Sequence, residues 1–188
     1  GTEVELAAYV AVGMVLLTSG TVAAATLDIP LAAYTAYRTI VVELSGFLPA
    51  SDGVALKVQF STDNGGNWIA SGYNHIHLCT ESETGAGVGV FSGSDTSIVL
   101  TSNTVGNLIG NAANEGYNGE IRLRNWQASA FWPRINSQGY YISNNATPAG
   151  IATSGGGSNE TAQDCTALRF LFSSGNIAAG NYAVYGLT

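Results

Sequence analysis

The chain has 188 residues, and charged residues make up 10% of them, against about 25% in an ordinary soluble domain. This length suits one domain, with or without a short arm. Its six lysines and arginines and its formal net charge of −7 argue against nucleic-acid binding, which needs clustered basic residues, and against a basic helix on a membrane surface.

The first element is an apolar segment, residues 10–17, that resembles the core of a secretory signal peptide. The segment before it carries Glu3 and Glu5 where a signal peptide needs basic residues, and the segment is too short to span a bilayer. We therefore predict an N-terminal arm or linker over residues 1–13 and one domain over residues 14–188.

The start of the chain is apolar on both alternating faces of residues 4–17. An isolated arm of this kind would expose too much apolar surface. We expect it to pack against a neighbouring chain or another protein.

Period-two alternation of apolar and polar residues marks the strands of the domain. In one segment Leu56, Val58 and Phe60 share a face, with Lys57 and Gln59 on the other. The clearest such segments are residues 39–44, 54–60, 119–124, 168–172 and 182–187. Turn residues separate them, and no stretch of twelve residues carries an amphipathic helical stripe, although a short helical turn is expected within residues 103–114. Residues 155–158 (GGGS) are interpreted as a mobile loop. The pattern predicts an all-β fold, an antiparallel β-sandwich of the jelly-roll kind.

Residues 61–68 (STDNGGNW) fit the Asp-box pattern S-x-D-x-G-x-x-W, with Ser61, Asp63, Gly65 and Trp68 at its fixed positions. We interpret the motif as a tight β-hairpin in which the aspartate bonds turn amides and the tryptophan packs back on the turn. One copy in a chain too short for a propeller indicates a structural turn and not a binding site.

His75 and His77 are two residues apart, so both imidazoles would project from one face of a strand. Two ligands per chain are too few for a closed metal site, but three chains meeting on an axis would supply six ring nitrogens. The alternative is a pair of solvent-facing histidines without a metal, and the absence of a neighbouring carboxylate favours it.

Aromatic residues cluster between residues 126 and 141, close to arginines and asparagines. Two interpretations are open: the aromatic side chains stack on sugar rings, or Trp126, Phe131 and Trp132 fill the sandwich core, which we favour. The candidate glycan contacts are Trp126, Trp132, Arg134, Tyr140 and Tyr141.

The motifs of common enzymes are missing from the sequence. No serine lies in a G-x-S-x-G elbow, and no P-loop, HExxH or EF-hand motif occurs. A glycosidase needs only two carboxylates, and the sequence leaves open a pair among Asp52, Asp63, Asp95, Glu115 and Glu120. We predict a protein without enzymatic activity and without a cofactor.

Cys79 and Cys165 lie far apart and lack the spacing of a zinc site. They form either one disulfide or two buried thiols, and the second alternative is favoured because free cysteine is among the most buried residue types.

Several blocks of sequence occur in an order that resembles a domain of tailed-bacteriophage and prophage virion proteins, including tail-fibre-like proteins. The blocks are residues 48–56 (LPASDGVAL), 61–66 (STDNGG), 73–74 (YN), 119–123 (GEIRL), 168–180 (LRFLFSSGNIAAG) and 184–187 (VYGL). The resemblance spans roughly residues 14–188, and its closing stretch is the most specific part.

The resemblance implies a virion-surface component: a tail fibre, head fibre, spike or decoration module on the extracellular particle. Its partners would be other virion proteins and identical chains, most commonly in a trimer, with a host-surface glycan as a further partner and neither nucleic acid nor membrane. It also favours a metal role for His75 and His77, since some phage spikes and fibres bind iron through paired histidines. The alternatives are a carbohydrate-binding adhesin module and, behind it, a glycoside-processing enzyme.

Overall fold

The computed structural model describes residues 13–161 and 163–188. Within these residues there are twelve β-strands and one short 3-10 helix, Ala32–Tyr34, and no helix has the length and apolar character needed to cross a membrane. The strands are β1 (Val15–Thr21), β2 (Leu27–Pro30), β3 (Thr39–Pro49), β4 (Leu56–Ser61), β5 (Tyr73–Glu81), β6 (Gly87–Asp95), β7 (Ile98–Val99), β8 (Tyr117–Arg124), β9 (Arg134–Ile142), β10 (Gly150–Asn159), β11 (Ala167–Phe172) and β12 (Ile177–Leu187).

The strands form two sheets in which every pairing is antiparallel. The larger sheet has the order β1-β12-β3-β8-β9-β10-β5-β6, and the smaller sheet has the order β2-β11-β4-β7. The predicted antiparallel β-sandwich is therefore confirmed. The predicted arm, residues 1–13, lies outside the described residues except for Gly13.

The core lies between the two sheets and is built from the inward positions of their strands. Leu56, Val58 and Phe60 of β4 are fully buried, as their alternation predicts. Phe47 packs on Phe172 with ring centroids 5.6 Å apart. Each large apolar side chain buried in this way contributes about 1.5–3 kcal/mol.

Both cysteines are free and buried, so the prediction of buried thiols is confirmed. Burial raises the pKa of the Cys79 thiol, and it raises that of Cys165 to about 12. Both thiols are therefore protonated near neutral pH.

Two local predictions were wrong. Residues 103–114 form turns without a helix, because Ile109 makes bridge pairs with Val54 and Ser143 that take up its backbone groups. Residues 155–158, predicted as a mobile loop, lie inside β10, where they are hydrogen-bonded to β9 on one side and β5 on the other. The glycines occur there because backbone carbonyl oxygens of β5 and β9, together with nearby side chains, occupy the space that a Cβ atom would fill.

Candidate functional site

The outward face of the larger sheet carries polar residues where β8, β9, β10 and β5 lie side by side. The strand register sets these polar residues and their apolar neighbours in rows that run across the sheet. The first row is Arg124, Arg134, Ser158 and Asn74; the second is Arg122, Asn136, Gly156, Ile76 and Phe91; the third is Glu43, Glu120, Gln138, Ser154 and Leu78.

A furrow runs along β10 on this face, because the outward residues of β10 are smaller than those beside them. Ser154, Gly156 and Ser158 form its floor, between Asn136 of β9 and Ile76 of β5. The resulting depression has a volume of about 830 Å³. We call this depression and its continuation toward Tyr140 the β10 furrow.

Two smaller depressions, of about 260 and 650 Å³, continue the β10 furrow and share Glu120, Gln138 and Ser154 as lining residues. From the Arg124–Arg134 row to the Tyr140 row, six residues along the strands, the β10 furrow is about 20 Å long. It is long enough for an extended ligand with several polar groups.

The two ends of the β10 furrow differ in charge. At one end Arg124 lies directly opposite Arg134, and neither side chain forms an ion pair with a described residue. Toward the other end Glu43 lies opposite Glu120, which forms an ion pair with Arg122. The sequence analysis missed the juxtaposition of Glu43 and Glu120, which depends on the register of β3 against β8.

The predicted glycan contacts divide between the surface and the core. Arg134 and Tyr140 lie on the outward face of β9, with Tyr140 47% exposed and lining the furrow. Trp126 and Tyr141 are 3% and 0% exposed, so their prediction as glycan contacts was wrong, while the favoured interpretation that Trp126 fills the core is confirmed. Neighbouring residues of a strand face opposite sides, so Tyr140 and Tyr141 cannot both reach one ligand.

Trp132 and Phe131 lie in the loop between β8 and β9 and are 39% and 59% exposed, so they do not fill the core as the favoured interpretation required. The sequence analysis also missed the exposed apolar residues Ile76, Leu78 and Phe91 beside the furrow. For Ile76 and Leu78 the one signal in the sequence was the alternation of β5, in which the histidines and not the aliphatic residues face the interior.

His75 and His77 do share one face of β5, but it is the inward face, where they are 5% and 0% exposed. The Nε2 atom of His77 lies 2.7 Å from the hydroxyl of Ser137, and burial lowers the pKa of His77 to about 4. The rings fit inside because Gly155 and Gly157 lie opposite them on β10.

The expectation of solvent-facing histidines was therefore wrong, and a metal held between chains is not supported. The described residues contain no cluster of three or more histidine, cysteine, aspartate or glutamate side chains that would hold a metal ion.

The Asp-box forms a compact turn between the two sheets. The Asp63 carboxylate accepts hydrogen bonds from the Asn67 amide and the Ser61 hydroxyl, both at 2.7 Å, which lower its pKa to about 2. Gly65 has a φ of 93°, which favours glycine. The predicted β-hairpin was wrong, because β4 and β5 belong to different sheets.

The remaining members of that motif support a structural role. Trp68 lies against Gly65, and the guanidinium of Arg169 sits 4.2 Å from the centre of the Trp68 ring. These contacts join the turn to β11 of the smaller sheet, and the turn lines none of the furrow.

The candidate carboxylates lie on different elements of the fold. Asp52 is in the turn after β3, Asp63 is in the Asp-box, and Asp95 ends β6. Glu115 is largely buried and accepts a hydrogen bond from the Ala112 amide. Of the five, Glu120 alone lines the β10 furrow.

No protein-family model, curated protein or solved structure matches this chain. The fold defines the class of the protein as a two-sheet antiparallel β-sandwich. Its function has to be argued from the β10 furrow and from the positions of the reactive groups.

Proposed function

We propose that this chain is a non-enzymatic structural module on the surface of a phage particle, a fibre, spike or decoration domain, and that it attaches to host-surface glycan through the β10 furrow. The sequence blocks that resemble virion proteins support the first part. Three of the six blocks, residues 119–123, 168–180 and 184–187, fall largely on β8, β11 and β12. Residues 48–56 and 61–66 lie mostly in the turns on either side of β4, and residues 73–74 begin β5. The strands β9 and β10, which line the furrow, lie between the blocks.

A jelly-roll arrangement is part of the proposal. Without β5, β6, β9 and β10, the two sheets have the orders β1-β12-β3-β8 and β2-β11-β4-β7, and the chain changes sheet at nearly every connection. This order supports an eight-stranded jelly roll of two Greek keys, to which two hairpin-like pairs of strands have been added. Viral capsid and lectin domains use this architecture, which supports the proposal by analogy only.

The positions of the reactive side chains support a non-catalytic role. Both histidines and both cysteines are buried, the pKa of each histidine is lowered, and the pKa of each thiol is raised. A nucleophile and its base have to reach a substrate, and none of these four groups lies on an open surface.

The observation that carries glycan attachment is the composition of the β10 furrow. Amide side chains such as Asn136 and Gln138 donate and accept hydrogen bonds, as sugar hydroxyl groups require. Ile76 and Phe91, which are 68% and 76% exposed, offer apolar surface to the C–H face of a sugar ring. Tyr140 offers an aromatic ring at the other end.

A glycan panel tests the attachment proposal. Ser154 is exposed on the furrow floor, so Ser154→Tyr should obstruct the furrow and weaken binding at least tenfold. Ser19→Tyr is the matched control, because Ser19 is exposed on β1 at the far edge of the same sheet. Failure of the parent to bind any glycan, or unchanged binding by Ser154→Tyr, would contradict the proposal.

Antibody labelling of intact phage particles in the electron microscope tests the location. Gold label on the particle surface is expected. Particles that contain no copy of the chain would contradict a virion role.

The glycosidase alternative is favoured by one observation, the Glu43–Glu120 pair across β3 and β8. Retaining glycosidases place two carboxyl groups about 5–5.5 Å apart. Release of shortened products from a bound oligosaccharide, abolished in Glu120→Gln, would establish this alternative over the non-enzymatic one.

A further inference from the structure

We propose that the Arg124–Arg134 end of the β10 furrow binds the carboxylate of an acidic sugar, such as a uronic or sialic acid residue. The inference rests on the proposed glycan binding and names the chemical class of the glycan.

The two arginines are placed where neither the fold nor another side chain explains them. They face each other across β8 and β9, and like charges in this position destabilise a sheet. Both are exposed, and both line the same depression. Their positions therefore suit a negatively charged group from outside the chain.

Two of the other three arginines have carboxylate partners, whereas the exposed Arg38 has none among the described residues. Arg122 pairs with Glu120, and Arg169 forms two hydrogen bonds to Asp28, at 2.8 and 2.7 Å. The chain has 13 aspartates and glutamates, so partners are not scarce. What distinguishes Arg124 and Arg134 is that two arginines without a carboxylate partner among the described residues lie directly opposite each other at one end of the furrow.

The groups around the pair suit a sugar that carries the acid. Asn125, Asn136 and Ser158 line the same depression and offer hydrogen bonds to hydroxyl groups. Asn74 ends the row and lines the same depression, and its Nδ2 is hydrogen-bonded to Glu160.

Charge and shape favour a carboxylate over a polyanion. An arginine guanidinium matches a planar carboxylate through two parallel N–H···O bonds. Two arginines in a chain of net charge −7 would not hold a nucleic acid, which needs many phosphate contacts. The loop that joins the two arginine strands also carries the exposed rings of Phe131 and Trp132, which can stack on a sugar.

The test compares matched oligosaccharides by calorimetry: an acidic glycan, the same glycan with its carboxyl groups reduced to alcohols, and a phosphate-bearing glycan. The parent should bind the carboxylate form at least ten times more tightly than the reduced form. Arg124→Gln and Arg134→Gln should each lower that ratio toward one, because they should weaken binding of the carboxylate form far more than binding of the reduced form. Lys57→Gln, on β4 of the smaller sheet, is the matched control and should behave as the parent does.

Folding of the variants is checked by thermal melting, in which Arg124→Gln and Arg134→Gln should melt at or above the temperature of the parent because a like-charge pair is removed. Equal binding of the acidic and reduced glycans, a ratio unaffected by either arginine variant, or preferred binding of the phosphate-bearing glycan would each overturn this inference while glycan attachment stands. Failure to bind all three, together with failure on the wider panel, would instead overturn the proposed function.

Discussion

The single residue His77 affects how the stability of the whole fold depends on pH. Its ring is fully buried, its Nε2 meets the hydroxyl of Ser137, and its Nδ1 has no hydrogen-bond partner among the residues that the structure describes. A proton on this ring would be a buried charge without a counter-ion, which is costly. His75 beside it adds repulsion, and Asp95 and Lys57 are the charged groups that act on His75.

This burial predicts that the protein loses stability as the pH falls. The ordinary histidine pKa is 6.5, and the pKa of His77 in the folded chain is about 4. Between these values the unfolded chain takes up a proton that the folded chain does not. The contribution of the neutral His77 to the free energy of unfolding is therefore complete above pH 6.5 and is lost progressively as the pH falls to 4. The free energy of unfolding should fall by up to about 1.4 kcal/mol per pH unit in this window.

Urea unfolding at a series of pH values between 7.5 and 4 measures this dependence. His77→Gln should show a shallower slope, because glutamine can still bond Ser137 but does not titrate. A slope equal to that of the parent would mean that other groups control the acid sensitivity.

Asp63 is a residue whose effect is local. Asp63→Ala would leave the Asn67 amide and the Ser61 hydroxyl without their acceptor, so we expect the melting temperature to drop by several degrees. Asp52→Ala is the control, because Asp52 is also an exposed turn residue and its side chain makes no hydrogen bond among the described residues. Glycan binding should survive Asp63→Ala once the protein is folded, and its loss from a normally melting variant would indicate a binding role for the motif.

At the scale of elements, the fit of β10 between β9 and β5 depends on its glycines. A Cβ atom added at Gly157 would lie 2.7 Å from the Asn74 carbonyl oxygen and 2.9 Å from the Cβ of His75 and from Ile98. By contrast, a Cβ atom added at Gly89 on the edge strand β6 would meet nothing within 4 Å.

Gly157→Ala should therefore lower the free energy of unfolding by about 1–3 kcal/mol, through overpacking. Gly89→Ala carries the same chemical change and should stay within about 0.5 kcal/mol of the parent. Urea unfolding of both variants measures the difference, and equal stabilities would show that β10 adapts to the added carbon.

The strands that alternate cleanly in sequence were the ones that could be predicted. β4, β8 and β11 bury mainly one face, so their apolar residues recur with period two, whereas in β3 the consecutive residues 40–42 are all buried. β10 could not be predicted, because Gly155, Gly156 and Gly157 carry no pattern, and its place depends on side chains of β5 and β9. In β5 the alternation was visible, but the usual rule of apolar residues inside gave the wrong sense, since His75 and His77 face inward and Ile76 outward.

The furrow could not be predicted, because it depends on which residues of β8, β9, β10 and β5 lie opposite one another. No local pattern of the sequence reveals this register. Arg134 and Tyr140 were predicted as glycan contacts from the local composition alone. The same reasoning also predicted the buried Trp126 and Tyr141 as glycan contacts. The opposition of Arg124 and Arg134 needs the exact pairing of β8 with β9.

At the scale of the whole molecule, we predict a homo-oligomer, a trimer by resemblance. Met14, Val15 and Leu16, at the start of β1, are 44%, 46% and 55% exposed, which leaves apolar surface at one edge of the larger sheet. Light scattering should give three times the mass of one chain, and removal of residues 1–13 should weaken the assembly. A full-length chain that stays monomeric would contradict this prediction.

The central claim is that the β10 furrow is the ligand-binding face of a non-catalytic module. The most direct test is a titration of isotope-labelled protein with the tightest-binding acidic oligosaccharide, followed by NMR for the protein and by mass spectrometry for the sugar. The account predicts shifted amide signals in residues 74–78, 120–125, 134–140 and 152–158, and an oligosaccharide recovered intact. Shifts confined to other parts of the chain, such as the Asp-box turn, or an oligosaccharide recovered in shortened form, would contradict it.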